Sequence, residues 1–289
     1  PKAPIYESYI PDILKRDLNS NIHSLIDVIG LNVVTKGAGP IILKIKDLIQ
    51  KGKKLIVIDA MSNTDLEQIA LAINKSEFNI LPCGSAGLAN AINKVRNPKD
   101  EENHIEHIPN LPRLIVSGSA TKLTEYQILK LKEEKNNIFF VDLTIENIVN
   151  GINEKMIEEI TSKLNENIDV VINSSNMKNE LDNEEALNLL IDAGIPKNEF
   201  SSKITDFLSE LTYEINNLSK FILIMIGGET SYKCASKINS KYLEILDAIM
   251  PAIPLCIDSN GKIIVTKSGN FGINSTLIDI INYFDRLKI

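Results

Sequence analysis

The stretch "FILIMIGGETSYKC", Phe221 to Cys234, is a run of six apolar residues that stops at two glycines, an acid and two hydroxyls. A short apolar run ending in glycine reads as a β-strand entering a turn. Gly227-Gly228 is then either that turn alone or a backbone cradle for an anion, and the answer decides whether the chain handles phosphates. Working outward, strand-like runs alternate with helix-length periodic segments on both sides. That alternation belongs to an α/β fold with largely parallel sheets. Downstream of the central linker the strands are expected in "RLIVS" (113–117), "NIFFVDL" (137–143), "DVVINSS" (169–175), "FILIMI" (221–226) and "KIIVTK" (262–267). Helices are expected over about 153–166, 183–193, 200–219 and 232–247, with a last helix after "SGNFG" (268–272).

Upstream, residues 11–26 read as helical and Leu31–Val34 as a short strand. Pro40 suits the first turn of a helix that Gly52 ends. "KLIVIDA" (54–60) reads as a buried strand, and Asn63 or Thr64 as the cap of a helix running to about Asn74. "NILPCGSAGLANAINKV" (79–95) repeats the unit of strand, glycine loop and helix. Residues 97–112, "NPKDEENHIEHIPNLP", carry prolines at both ends, clustered charges and no periodicity, which marks a linker. The expected organisation is two α/β domains, 1–110 and 111–289.

Composition narrows the partners. The 289 residues carry a net charge of −7, with the basic residues scattered rather than gathered into a stripe. A nucleic-acid surface needs such a stripe, so no nucleic acid is expected. No apolar run is long enough to span a bilayer, and no membrane is expected. Cys83, Cys234 and Cys256 are far apart and odd in number, which argues against a disulfide framework and for a reducing, cytoplasmic compartment. The opening "PKAPIYESYIPDILKRD" has no initial Met and reads as the continuation of a longer chain.

In a parallel sheet, ligands gather where strands turn into helices, and glycines there let the backbone approach them. The first amides of the following helix favour an anion. Such junctions stand at "CGSAGLA" (83–89), "SGSATKLT" (117–124), "GGETS" (227–231) and "KSGNFG" (267–272). One alone is ordinarily a turn and a cap. Three in one half are different: with parallel strands, Gly118-Ser119, Gly227-Gly228 and Gly269 open at one sheet edge and form a shared, amide-rich pocket. The spacings of a Walker A loop and of a dinucleotide fingerprint are absent.

"IGGETS", "IMPAIPLCI" and "VTKSGNFG", in that order before a final helix, resemble the C-terminal nucleotide-binding domain of the four-carbon acid sugar kinase family. "VSGSATKLTEYQI" is similar to that family's Gly-Ser loop. "PIYESYIPDIL", "VIDAMSNTDL" and "LPCGSAGLA" resemble the later part of its substrate-binding domain. The resemblance runs the length of the chain and implies phosphorylation of 3-oxo-tetronate, erythronate or threonate by ATP. It puts the ATP site on Gly118, Ser119, Gly227, Gly228, Glu229, Thr230 and Gly269. The amides of Gly228, Thr230 and Ser231 would cap phosphates, Ser119 and Thr230 would supply hydroxyl donors, and Glu229 would hold Mg²⁺. Lys267 is either a point charge for a phosphate or a solvated strand-end lysine.

The chain departs from the family in three places. The family's opening strand, which ends in an Asp-Asp-x-Thr-Gly-like segment, has no counterpart. The first domain is therefore expected to be incomplete by roughly 100–150 residues, and a separate chain is a candidate source of that segment. Ala252 stands where the family usually has Gly, and Ala120-Thr121 where it has Cys-Ser.

Weaker candidates lie in the first domain. Asp59, at a strand end, is a candidate base, although such residues more often cap turns. Gly84, Ser85 and Gly87 are candidate substrate contacts, or a simple helix cap. His104 and His107, three apart, lack a third ligand nearby and read as solvated loop residues. A second functional reading is a stand-alone nucleotide-binding module or sensor without transfer. A homo-oligomer is compatible with either.

Overall fold

The computed structural model describes residues 6–96, 108–177 and 184–287, and the chain divides into two units, Pro1–Glu101 and Glu102–Ile289. The expected linker residues 97–107, with His104 and His107, lie outside the described residues.

The first unit runs α1 (Ile10–Asp17), a 3₁₀ turn (Ser20–Leu25), β1 (Ile26–Ile29), α2 (Leu31–Val34), α3 (Ala38–Gln50), β2 (Leu55–Ile58), α4 (Asn63–Lys75) and α5 (Ala86–Arg96). β1 and β2 pair in parallel, Ile26 opposite Leu55 through Ile29 opposite Ile58. Ile29, Val34, Ile41, Leu48 and Ala72 form the centre of its core. Pro40 and Gly52 act as expected, Gly52 taking φ +79° past the end of α3.

Four expectations for this unit change. The helix expected over 11–26 divides into α1 and the 3₁₀ turn, the first strand lies at 26–29, which carried no expectation beyond its first residue, and Leu31–Val34, expected as a strand, is one helical turn instead. Gly30 starts that turn and the Thr35 hydroxyl donates back to Leu31 O at 2.8 Å. β2 is half-exposed, because β1 covers one of its edges and nothing described pairs with the other. The cap of α4 is Ser62: its Oγ accepts from the Asp65 amide at 3.1 Å while Asp65 accepts from the Ser62 amide at 2.9 Å. Asn79–Cys83, expected as a strand, takes no regular secondary structure and joins no ladder, and Pro82 has no amide to give one.

The second unit is a seven-stranded sheet in the order β4-β5-β3-β6-β9-β8-β7. Its elements are β3 (Arg113–Ser117), α6 (Lys122–Glu134), β4 (Ile138–Asp142), α7 (Ile145–Asn150), α8 (Glu154–Asn165), β5 (Asp169–Asn173), α9 (Glu184–Asp192) and α10 (Phe200–Leu218). They continue with β6 (Ile222–Ile226), α11 (Gly228–Lys237), β7 (Leu243–Met250), β8 (Ile253–Asp258), β9 (Ile263–Lys267) and α12 (Thr276–Arg286). The five strands from β4 to β9 are mutually parallel, and the β8–β7 hairpin is laid antiparallel on the β9 edge.

The unbroken apolar run at 221–226 follows from where β6 sits. It is central, and both of its faces are covered, so alternation would bury polar groups. Leu223 and Met225 pack with Leu114, Val116 and the α8 and α10 residues Ile160 and Leu211. Ile222, Ile224 and Ile226 pack on the opposite face with Ile115, Ile128 and Phe284.

One expectation fails here. The helix expected over 232–247 begins earlier, at Gly228, and stops at Lys237; residues 243–250 are the edge strand β7. Leu243, Leu246 and Ile249 carry a three-residue spacing that imitates a helix, whereas the hairpin with β8 supplies the hydrogen bonds. The hairpin turns at Pro251-Ala252, and Ala252 takes φ +60°. A non-glycine residue rarely adopts this left-handed conformation, which accounts for the glycine the family usually has there.

Candidate functional site

Strand order decides where a ligand can enter. From β3 the chain moves toward β4 and β5, and from β6 it moves toward β9, so the order reverses between β3 and β6. The helices after those strands accordingly leave on opposite faces: α6 packs through Ile128 and Leu131 on one, α11 through Cys234 on the other. A crevice opens at the carboxyl ends of such a pair. The three glycine loops singled out in the sequence meet there. The Gly118 amide donates to Ile226 O at 3.2 Å, and the Gly227 amide donates to Lys267 O at 2.8 Å.

Close approach explains two of the glycines. A Cβ on Gly118 would lie 2.1 Å from Thr230 Oγ1, and one on Gly269 would lie 2.1 Å from Ser119 Oγ. Gly228 is different, since nothing lies within 4 Å of its Cβ position. The protein's own packing does not require that glycine; the space above it is open.

Hydroxyls tie the loops together. Thr124 Oγ1 lies 3.0 Å from both Ser119 Oγ and Gly269 O, and Thr121 Oγ1 donates to Gly269 O at 3.0 Å. Gln127 Nε2 donates to Ile273 O at 2.8 Å and so holds the β9–α12 loop from α6. Thr124 and Gln127 escaped the sequence reading, and Thr121 entered it only as a departure from the family. Their spacing of three along one helix face after "SGS" was the available signal.

α11 begins inside the crevice. The Gly228 and Thr230 amides have no acceptor among the described residues, as first-turn amides should. Ser231 departs from expectation. Its amide donates to Gly227 O at 2.9 Å and its Oγ donates to the same oxygen at 2.8 Å, so it closes the helix turn and offers no amide to a ligand. Glu229 is half-exposed on the α10 side, with Thr205 Oγ1 3.5 Å and Lys233 Nζ 3.7 Å from its Oε1.

Lys267 is buried, 2% exposed, which removes the solvated alternative. Its Nζ donates to Ser268 O at 2.9 Å. Burial lowers its ammonium from the ordinary 10.5 to about 8.

The remaining candidates lie in the first unit. Asp59 is exposed just past β2, and its amide donates to Ile29 O at 3.0 Å. Asp65, six residues further on, is spent on the α4 cap. Ser85 O accepts from Leu88 and Ala89 at 3.1 and 3.2 Å and so starts α5. A Cβ on Gly84 would press on Leu88 at 2.7 Å and one on Gly87 on Leu66 at 3.0 Å, so both glycines serve local packing. Among the described residues, no group of three or more His, Cys, Asp or Glu is placed to hold a metal, and no helix is long and apolar enough to cross a membrane.

Two family models match the chain: a sugar-binding N-terminal domain over residues 1–92 and a nucleotide-binding C-terminal domain over residues 114–277. The chain is 23% identical to a D-threonate kinase of Salmonella typhimurium over 99% of its own length, and 21% identical to a D-erythronate kinase of Heliobacterium modesticaldum over 98%. It spans 66% and 64% of the length of those two relatives. A solved Haemophilus influenzae structure shares the fold with TM-score 0.64 at 20% identity, covering 99% of this chain and 64% of that one. A Salmonella typhimurium LT2 structure, named provisionally as a tRNA synthase, does so with TM-score 0.73 at 18% identity, covering 96% and 63%. The two matched domains, in this order and over nearly the whole chain, mean that it belongs to the four-carbon acid sugar kinase family.

Proposed function

We propose that this chain is the nucleotide-binding part, with a portion of the sugar-binding part, of an ATP-dependent kinase that phosphorylates a hydroxyl of a four-carbon acid sugar such as threonate, erythronate or 3-oxo-tetronate. One observation carries the reading. Gly118-Ser119, Gly227 to Thr230 and Gly269 converge at the strand-order reversal, where unbonded first-turn amides adjoin an open space over Gly228. An ATP phosphate chain suits that arrangement, because backbone amides and a helix N-terminus neutralise anionic oxygens without a cluster of cations. The Ser119 and Thr230 hydroxyls are further donors. The Lys267 ammonium, which has no carboxylate partner among the described residues, gains a counter-charge.

Glu229 fits the ion that accompanies ATP. Mg²⁺ takes one or two carboxylates and fills its remaining positions with phosphate oxygens and water, and one carboxylate stands at this mouth. Such an ion supplies charge neutralisation on the transferring phosphoryl group. Phosphoryl transfer depends mainly on positioning and charge stabilisation, which the three tied loops are built to give. The acid sugar belongs with the first unit, in keeping with its match to a sugar-binding domain. Asp59, Gly84, Ser85 and Gly87 are the residues to test there.

The second reading is nucleotide binding without transfer, and β2, which pairs only with β1 among the described residues, favours it. Incubating the chain with radiolabelled Mg·ATP and each four-carbon acid separates the two. A labelled phospho-acid supports the kinase, and nucleotide binding with no product supports the second reading. Absence of both binding and product would contradict a nucleotide site at the three loops.

A further inference from the structure

Ser119 is buried, and its amide has no acceptor among the described residues. Its hydroxyl belongs to a closed cluster of four oxygens. Ser119 Oγ lies 3.0 Å from Thr124 Oγ1 and 3.1 Å from Thr121 Oγ1. The two threonine hydroxyls are 3.0 Å apart, and each lies 3.0 Å from Gly269 O. Thr121 Oγ1 also accepts from the Thr124 amide at 3.3 Å, as the cap of α6. Thr124 is fully buried and Thr121 half-buried. Three hydroxyl protons serve all of these oxygen contacts, because Gly269 O only accepts.

That shortage leaves Ser119 two arrangements. With both threonines donating to Gly269 O, the cluster closes only when Ser119 turns its proton inward, and no hydroxyl donor is left for a ligand. With Thr121 donating to Gly269 O and Thr124 to Ser119, the interior is satisfied and the Ser119 proton is free to leave the cluster. We propose that Thr124 is a positioning residue for the phosphate site: it donates to Ser119 Oγ, which leaves Ser119 with its own proton and its amide for an anionic oxygen of the nucleotide. Solvent competes for the proton of the half-buried Thr121 but not for that of Thr124, so Thr124 is the donor assigned. An anion selects this arrangement, since a hydrogen bond to a charged acceptor is the stronger one and a hydroxyl that accepts becomes the better donor. The proposal rests on the nucleotide reading and adds to it a residue that touches no ligand.

The test is titration of the full chain and its variants with Mg·ATP, each variant shown to be folded by its thermal midpoint. Thr124→Ser and Thr124→Ala differ by one hydroxyl, and Thr124→Val removes the hydroxyl but keeps the methyl, so either hydroxyl-free variant carries the comparison if the other does not fold. Thr124→Ser is expected to bind within about twofold of the unsubstituted chain, and Thr124→Ala and Thr124→Val about tenfold more weakly. Ser119→Ala should lose at least as much. In that background Thr124→Ala should cost nothing further, because the hydroxyl acts through Ser119. A residue that only held the Gly269 loop would weaken binding by the same factor with or without the serine hydroxyl. Three results would overturn the proposal: hydroxyl-free variants that bind as tightly as Thr124→Ser, a loss at Thr124 undiminished beside Ser119→Ala, or an unsubstituted chain that takes up no ATP. The last is seen without any variant and removes the nucleotide reading too, whereas the first two leave that reading standing.

Discussion

At Lys267, burial and function pull against each other. The folded amine titrates at about 8 and the unfolded one at 10.5, so between those values the folded state holds fewer protons. Its contribution to stability is therefore complete above pH 10.5 and is lost as pH falls through 8. At pH 7 the protein carries a buried ammonium with a single carbonyl partner among the described residues. Lys267→Met is expected to raise the thermal midpoint at pH 7, by roughly 2–3 kcal/mol in stability, and to weaken ATP binding at least about tenfold. Calorimetric melts and titrations of the same variant check both. An anion beside the amine raises its affinity for a proton, so ATP binding near pH 8.5 should take up protons, detectable as a binding heat that changes with the buffer. Ala252, at φ +60°, is the other residue under tension. Ala252→Gly should stabilise the protein by about 1 kcal/mol, measured by urea denaturation. The sequence marked both positions, the lysine as a candidate and the alanine as a departure from the family. It did not show that Lys267 is buried, because burial of a strand-end side chain depends on the loop folded over it.

At the level of elements, the carboxyl ends of the strands hold the site and the amino ends hold the sheet together. Arg113, at the start of β3, is buried and donates from Nε to Asp169 Oδ2 of β5 at 2.7 Å and from Nη1 to Asp285 Oδ1 of α12 at 2.7 Å. Its backbone amide also donates to Asp169 Oδ1 at 2.8 Å. Asp169→Asn leaves a buried guanidinium short of its counter-charge and should destabilise the protein by about 3–5 kcal/mol, read by denaturant titration. Nucleotide affinity of the still-folded variant should be unchanged, since the pair lies at the far end of the strands. Which elements were legible follows from where their hydrogen bonds come from. β3, β6 and β9 were legible because long apolar runs ending in glycine leave few alternatives. β7 was not, because its apolar spacing suits a helix and only the β8 partner makes it a strand. β1 went unread, and the 79–83 segment was misread, for the related reason that short strands take their state from a neighbour. The three glycine loops were legible as a set, whereas the Thr121, Thr124 and Gln127 contacts that lock them appear only when α6 and the β9–α12 loop come together.

For the whole molecule, the central claim is that the reversal of strand order between β3 and β6 creates a nucleotide site in the second unit. Gly228 tests it with least damage to the fold. No atom lies within 4 Å of its Cβ position, so a side chain leaves Gly228 into open space, and Gly228→Val is expected to fold while its methyl groups enter the space assigned to phosphate. The measurement is isothermal titration of the chain and of Gly228→Val with ATP and ADP, with and without Mg²⁺, each shown to be folded by circular dichroism. Binding in the micromolar range, about −8 kcal/mol, that Gly228→Val abolishes is the predicted result. A folded chain that takes up no nucleotide, or equal affinity in the two proteins, would contradict the account and leave "GGETS" as no more than the turn at the end of a strand.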